Sequence, residues 1–158
     1  MSEKITPCLW FDTEGEEAAA LYCSLFPGSR IVARSFYGEG APRPAGSVMT
    51  VEFELDGRPY LALNGGPEFP FTEAVSFQVG CEDQEEVDRL WEALLADGGQ
   101  ESQCGWLKDR FGLSWQIVPK VLPQLLSDPD PQRARRAMTA MLSMSRIDIA
   151  AIRAAADG

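Results

Sequence analysis

At 158 residues, 45% of them apolar and 24% charged, the chain can bury a core as one domain or two fused halves without disulfide or metal staples. No apolar run approaches the roughly 20 residues that a bilayer-spanning helix requires. A net charge of −10 argues against a surface built to bind nucleic-acid phosphate or an anionic membrane, so neither partner is expected. The N-terminal "MSEKITPCLWF" lacks the basic and apolar regions of an export signal, which makes the cytoplasm the expected location.

In chain order, Ile5 to Phe11 is a strand-like run. Glu16-Glu17 then opens a segment with Ala18, Leu21, Tyr22 and Leu25 at helical spacing, with Thr13 as its candidate cap and Pro27-Gly28 as its stop. "SRIVARSFYG", "SVMTVEFELDG" and "RPYLALNGG" follow as three strand candidates divided by Gly, Pro and Asp-Gly turn signals. The same order then recurs. Glu73 to Val79 is strand-like, and Val87, Leu90, Trp91 and Leu94 line one face of a helix capped by Asp83 and stopped by Gly98-Gly99. "QESQCGWLKD" and "LSWQIVP" follow, joined by Asp109 to Gly112, with at least one strand short or irregular. The pattern predicts an α+β protein of two βαβββ modules, 1–66 and 67–120, the second abbreviated, and a helical tail, 121–158.

In the tail, Asp130 caps and Pro131 starts a helix, either continuous or broken near Ser145. Met138, Met141 and Leu142 form a face suited to core or dimer packing. Arg133, Arg135 and Arg136 read as a solvated helix face. Cys8, Cys23, Cys81 and Cys104 are far apart, with no CxxC, and read as reduced, mostly buried thiols.

The duplicated pattern, with "LNGGPEFPFTEAVSFQVGCEDQEEVDRLWEALLADGG" and "QCGWLKDRFGLSWQIVP", resembles the PhnB-like branch of the vicinal oxygen chelate superfamily, the glyoxalase, bleomycin-resistance and extradiol-dioxygenase group. The resemblance implies paired modules forming a cup-shaped mixed sheet, usually in a homodimer. Members of this branch often carry a 3-demethylubiquinone methyltransferase label. The glycine-rich strand-to-helix turn that a Rossmann-type methyltransferase needs is missing, because Gly65-Gly66 and Gly98-Gly99 read as turns.

Catalytic members of the superfamily hold a divalent metal with His and Glu side chains projecting into the cup. This chain has no histidine. The resemblance carries the ligand positions onto Thr6 to Cys8, Ala62 to Asn64, Ser76 and Gln116. Neutral amides and hydroxyls bind transition metals poorly, so no metal or other cofactor is expected, the remaining alternative being an oxygen-rich site using Glu52 or Glu54.

Strand alternation nominates the cavity wall. Ser76, Gln78, Ser114 and Gln116 oppose the apolar sets Val75, Phe77, Val79 and Leu113, Trp115, Ile117. The same parity places Thr6, Cys8 and Trp10, then Thr50, Glu52 and Glu54, then Tyr60, Ala62 and Asn64 on the concave side. Cys104, Trp106 and Lys108 share one face of their strand. Trp106 is either pocket wall or a buried dimer contact, and Gln116 either pocket wall or a buried amide with backbone partners.

Three functional readings remain open. The first is a metal-free protein that binds or sequesters a small organic ligand. The second is an enzyme of the lyase, isomerase or dioxygenase type without the usual metal, with Cys8 or Cys104 as nucleophile or Glu52 as base. The third is a structural homodimer or interaction module.

Overall fold

The apolar runs and turn signals of the first half build a four-stranded mixed sheet in the computed structural model, which describes residues 4–158. Its elements are β1 (Cys8–Phe11), α1 (Gly15–Leu25), β2 (Arg30–Phe36), β3 (Val48–Leu55) and β4 (Arg58–Asn64). The strand order is β1-β4-β3-β2, with β1 parallel to β4 and the other pairs antiparallel. Asp56 and Gly57, at φ 50° and 79°, close the β3–β4 hairpin in the left-handed conformation that a two-residue turn requires.

Helix α1 buries Ala18, Ala19, Tyr22 and Leu25, and Val51, Phe53 and Leu55 are buried in the sheet. Thr13 does not cap it: the residue before the helix is Glu14, which makes no side-chain cap bond. The Asn64 side-chain oxygen, 2.7 Å from the Gly15 amide, accepts that first N–H instead. A cap supplied by a strand 49 residues away leaves no local signal in the sequence.

The second half repeats the arrangement with β5 (Ser76–Cys81), α2 (Gln84–Leu95), β6 (Gln100–Glu101), β7 (Trp106–Lys108) and β8 (Ser114–Pro119). The order β5-β8-β7-β6, again with one parallel pair, matches that of the first sheet. Asp83 caps α2 through the Glu86 amide, and Val87, Leu90, Trp91 and Leu94 are buried, as their spacing predicts. The abbreviation falls on β6 and β7, two and three residues long. "QESQCGWLKD" thus forms two short strands around a turn rather than one strand.

The tail forms α3 (Leu122–Leu126), α4 (Pro131–Leu142) and α5 (Ile149–Asp157). Asp130 caps α4 with Pro131 in its first turn, and the break falls at 143–148. Leu122, Ala137, Ile147, Ile152 and Ala156 form its core, with Met141 packed against it. Met138 and Leu142 are exposed, so only one residue of the expected apolar face is core. Arg133 and Arg136 are not simply solvated: Arg133 pairs with Asp128 and Asp157, and Arg136 donates to the Ala155 and Ala156 carbonyls at the end of α5. Cationic donors suit the carbonyl-rich C-terminus of a helix. By backbone contacts the chain divides into two units, Met1–Pro70 and Phe71–Gly158. Among the described residues no helix is long and apolar enough to cross a membrane.

Candidate functional site

The second sheet gathers four of the expected site residues on one face. Register pairs Gln78 with Gln116 and Gln116 with Trp106, while Ser76 faces Ser114. Gln78 Nε2 donates to Gln116 Oε1 at 3.1 Å, and Gln116 Nε2 donates to Ser76 Oγ at 2.9 Å. Gln116 is therefore satisfied by side chains of the same face and not by the backbone. Trp106 is half-buried beside it. Trp115 and Ile117 alternate to the other side and are fully buried, and Asp109 accepts the Trp115 indole N–H at 2.9 Å.

Across the same face Lys108 opposes Ser114, which opposes Ser76. Lys108 forms an ion pair with Glu73, and the hydrogen bond from Lys108 holds the Glu73 carboxyl below its ordinary range. Ser114 is 1% exposed, and its hydroxyl has no hydrogen-bond partner. A cleft of about 270 Å³ opens here, lined by Glu73, Gln100, Ser102, Trp106, Lys108 and Ser114 among others. Alternation alone puts Lys108 and Ser114 on this face, but it could not supply Glu73, which precedes β5.

The first sheet brings Cys8, Trp10, Thr50 and Glu52 to one face, because Cys8 pairs with Leu61, Leu61 with Glu52, and Leu63 with both Trp10 and Thr50. Thr50 is hydrogen-bonded to Ser35 on β2, and Glu54 pairs with Arg30. Trp10 is clamped: its indole N–H donates to the Gly66 carbonyl at 2.8 Å, and Phe69 meets its ring edge-on at 4.9 Å. A Cβ at Gly65 would stand 2.3 Å from that ring, so only glycine fits.

The expected placement of Tyr60, Ala62 and Asn64 on the concave side is corrected. They pair with Phe53, Val51 and Phe11 and so share the buried side with those residues, whereas Leu61 and Leu63 occupy the face of Trp10. The error is one of register. Tyr60 stacks on Phe53 at 5.6 Å, and Asn64 is buried between the Gly15 amide and the Val48 carbonyl. A separate cleft of about 260 Å³, lined by Asp12, Glu16, Tyr37, Arg43 and Asn64 among others, lies at this end of the first unit. Arg43 there pairs with Asp12 at 2.9 Å.

Cys104 is also displaced from its expected face. It lies in the turn before β7 with φ 58°, its amide bonded to the Met144 carbonyl and its thiol 3.7 Å from the Met141 carbonyl. The thiols are less buried than expected: Cys8 is exposed, Cys23 and Cys104 are half-buried, and only Cys81 is fully buried. Partial desolvation raises the Cys8 thiol pKa although the residue is exposed, which opposes thiolate formation, and full burial pushes that of Cys81 up to about 12.

At the positions onto which the resemblance carries metal ligands, Ser76 and Gln116 are bound to each other, Ala62 and Leu63 present no donor atom, and the Asn64 side chain is engaged by the Gly15 amide and the Val48 carbonyl. Among the described residues no three His, Cys, Asp or Glu side chains cluster as ligands. Amide and hydroxyl oxygens are a poor donor set for a divalent transition metal.

The sequence profile of the family described as 3-demethylubiquinone-9 3-methyltransferase matches residues 3–118. The PhnB protein of Bacillus cereus is similar at 36% identity and TM-score 0.68, over 74% of this chain and 99% of its own. A Pseudomonas aeruginosa protein shares the fold at TM-score 0.61 and 24% identity, over 75% of this chain and 98% of its own. No curated protein matches the chain. The matched residues stop within β8, so α3 to α5 lie outside them. The chain belongs to this PhnB-like family.

Proposed function

We propose that the protein binds a small organic molecule without a metal, on the polar face formed by Ser76, Gln78, Trp106 and Gln116. The carrying observation is the Gln78–Gln116–Ser76 hydrogen-bond chain, a neutral row of amides and a hydroxyl that includes Ser76 and Gln116, the positions onto which the resemblance carries His or Glu ligands of metal-dependent relatives. Such a row orients a ligand by hydrogen bonding, and the adjoining indole supplies flat apolar area. Cys8, Trp10, Thr50 and Glu52 form a second candidate surface on the first sheet. The methyltransferase name carried by the family implies a nucleotide-like cofactor, for which the chain offers no glycine-rich strand-to-helix turn.

A catalytic reading has less support. Partial desolvation opposes ionisation of Cys8, the Cys104 thiol points to a carbonyl of the tail, and Lys108, the cation nearest Cys104 in sequence, is paired with Glu73. The family's usual homodimer is carried over as an expectation that sedimentation analysis checks. Function is tested by screening small-molecule binding to the wild type, Q116A and W106A by thermal shift and equilibrium dialysis. Ligands lost or weakened in both variants support this face. Ligand profiles unchanged in both contradict it.

A further inference from the structure

We propose that the cleft beside Ser114 is a subsite for the carboxylate of a small, flat organic acid. This deepens the binding reading above and rests on it. Three observations converge. Ser114 lines the cleft, and its hydroxyl is buried just beneath the cleft wall without a partner, a condition that native interiors seldom leave unexplained. Lys108 directly opposes Ser114 across the β7–β8 pair, so both side chains stand on the same face of the sheet. Among the described residues Lys108 is held by Glu73, whose side chain is 59% exposed. An ion pair that open to water is weak and exchangeable.

Two groups at the cleft can donate to an incoming anion: the Lys108 ammonium, with three N–H bonds, and the Ser114 hydroxyl, which has no partner. An incoming carboxylate satisfies both, taking the place of Glu73 on Lys108 and accepting from Ser114. A cationic ligand would have to displace Lys108 from Glu73 and would meet the displaced ammonium as a like charge beside it, so the Lys108 charge selects for an anion. Glu101, also at the rim, has its carboxylate engaged by the Trp91 indole N–H of α2. Trp106, on the same side of β7 as Lys108, offers a half-buried flat surface next to the anion position. The cleft volume of about 270 Å³ lies at the small end for ligand sites, which sets the size class.

Benzoate, benzamide and benzylamine serve as anionic, neutral and cationic probes of one shape, titrated by calorimetry into the wild type, S114A, K108M and E73Q. Benzoate is expected to bind the wild type about tenfold more tightly than benzamide, the margin that a charge-assisted contact gives. K108M is expected to abolish that preference, and S114A to weaken benzoate several-fold while melting no lower than the wild type, since it removes an unsatisfied buried hydroxyl. E73Q is expected to tighten benzoate by freeing Lys108. Equal affinity for benzoate and benzamide, or unchanged benzoate affinity in S114A, overturns the subsite and leaves the broader binding reading standing. Absence of binding by all three probes also overturns it. Whether the broader reading fails as well is decided separately by the ligand screen on Q116A and W106A.

Discussion

Gln78 and Gln116, on adjacent parallel strands, are joined amide to carbonyl at 3.1 Å, and Gln116 passes the interaction on to Ser76. Removing the middle member breaks both bonds. Q116A is expected to lower stability by about 1 kcal/mol, the net worth of such bonds where water can replace the lost partners. Urea denaturation measures this. A loss above about 3 kcal/mol would mean that Gln116 is a core strut and not a half-exposed binding group.

Asp109 holds the turn between β7 and β8 from inside. At 3% exposed, it accepts from the Phe111 and Leu113 amides and from the Trp115 indole. D109A strands buried donors and is expected to cost about 3 kcal/mol or more. D109N keeps an acceptor oxygen and should cost less. Denaturation of the two variants side by side tests this order.

Much of this architecture is legible in the sequence because it depends on local periodicity. Val87, Leu90, Trp91 and Leu94 announce α2, Asp83 its start, and Asp56-Gly57 the β3–β4 hairpin. In the second sheet, alternation in "LSWQIVP" assigns Trp115 and Gln116 to opposite faces correctly. The same argument fails at β4, because "RPYLALN" alternates Tyr60, Ala62 and Asn64 with Leu61 and Leu63 and offers no apolar-polar contrast. Pairing with β3 decides its parity, and an asparagine with two specific buried partners goes inward. Cys104 departs from strand alternation because the chain turns there, with Cys104 and Gly105 both at positive φ and both amides bonded to carbonyls of residues 144–145 in the tail. The Ser114 cleft depends on Glu73, a residue that no strand pattern connects with Lys108.

Asn64 closes one end of the first unit by accepting from Gly15 and donating to the Val48 carbonyl at 3.1 Å. N64A leaves both groups without a partner and is expected to destabilise the fold by about 2 kcal/mol. Hydrogen exchange at the Gly15 amide should accelerate with it. Unchanged exchange would show that another group can cap α1.

Cys81 supplies a pH dependence with a defined sign. Burial raises its thiol from the ordinary 9.0 to about 12 in the folded chain, so the folded state keeps its proton where the unfolded chain loses it. This contribution to stability is complete below about pH 9 and declines as pH rises towards 12. C81A should flatten that alkaline decline in denaturation midpoints measured across the window. In thiol labelling under native conditions, exposed Cys8 should react first and buried Cys81 last.

The central claim is that this family member binds a small organic ligand without the metal of its catalytic relatives. Native mass spectrometry of protein isolated without a chelator or histidine tag tests it most directly. The expected spectrum shows no stoichiometric divalent metal, with a co-purified organic adduct that disappears in Q116A. A stoichiometric metal that survives desalting would contradict the account and direct attention to the carboxylates of β3.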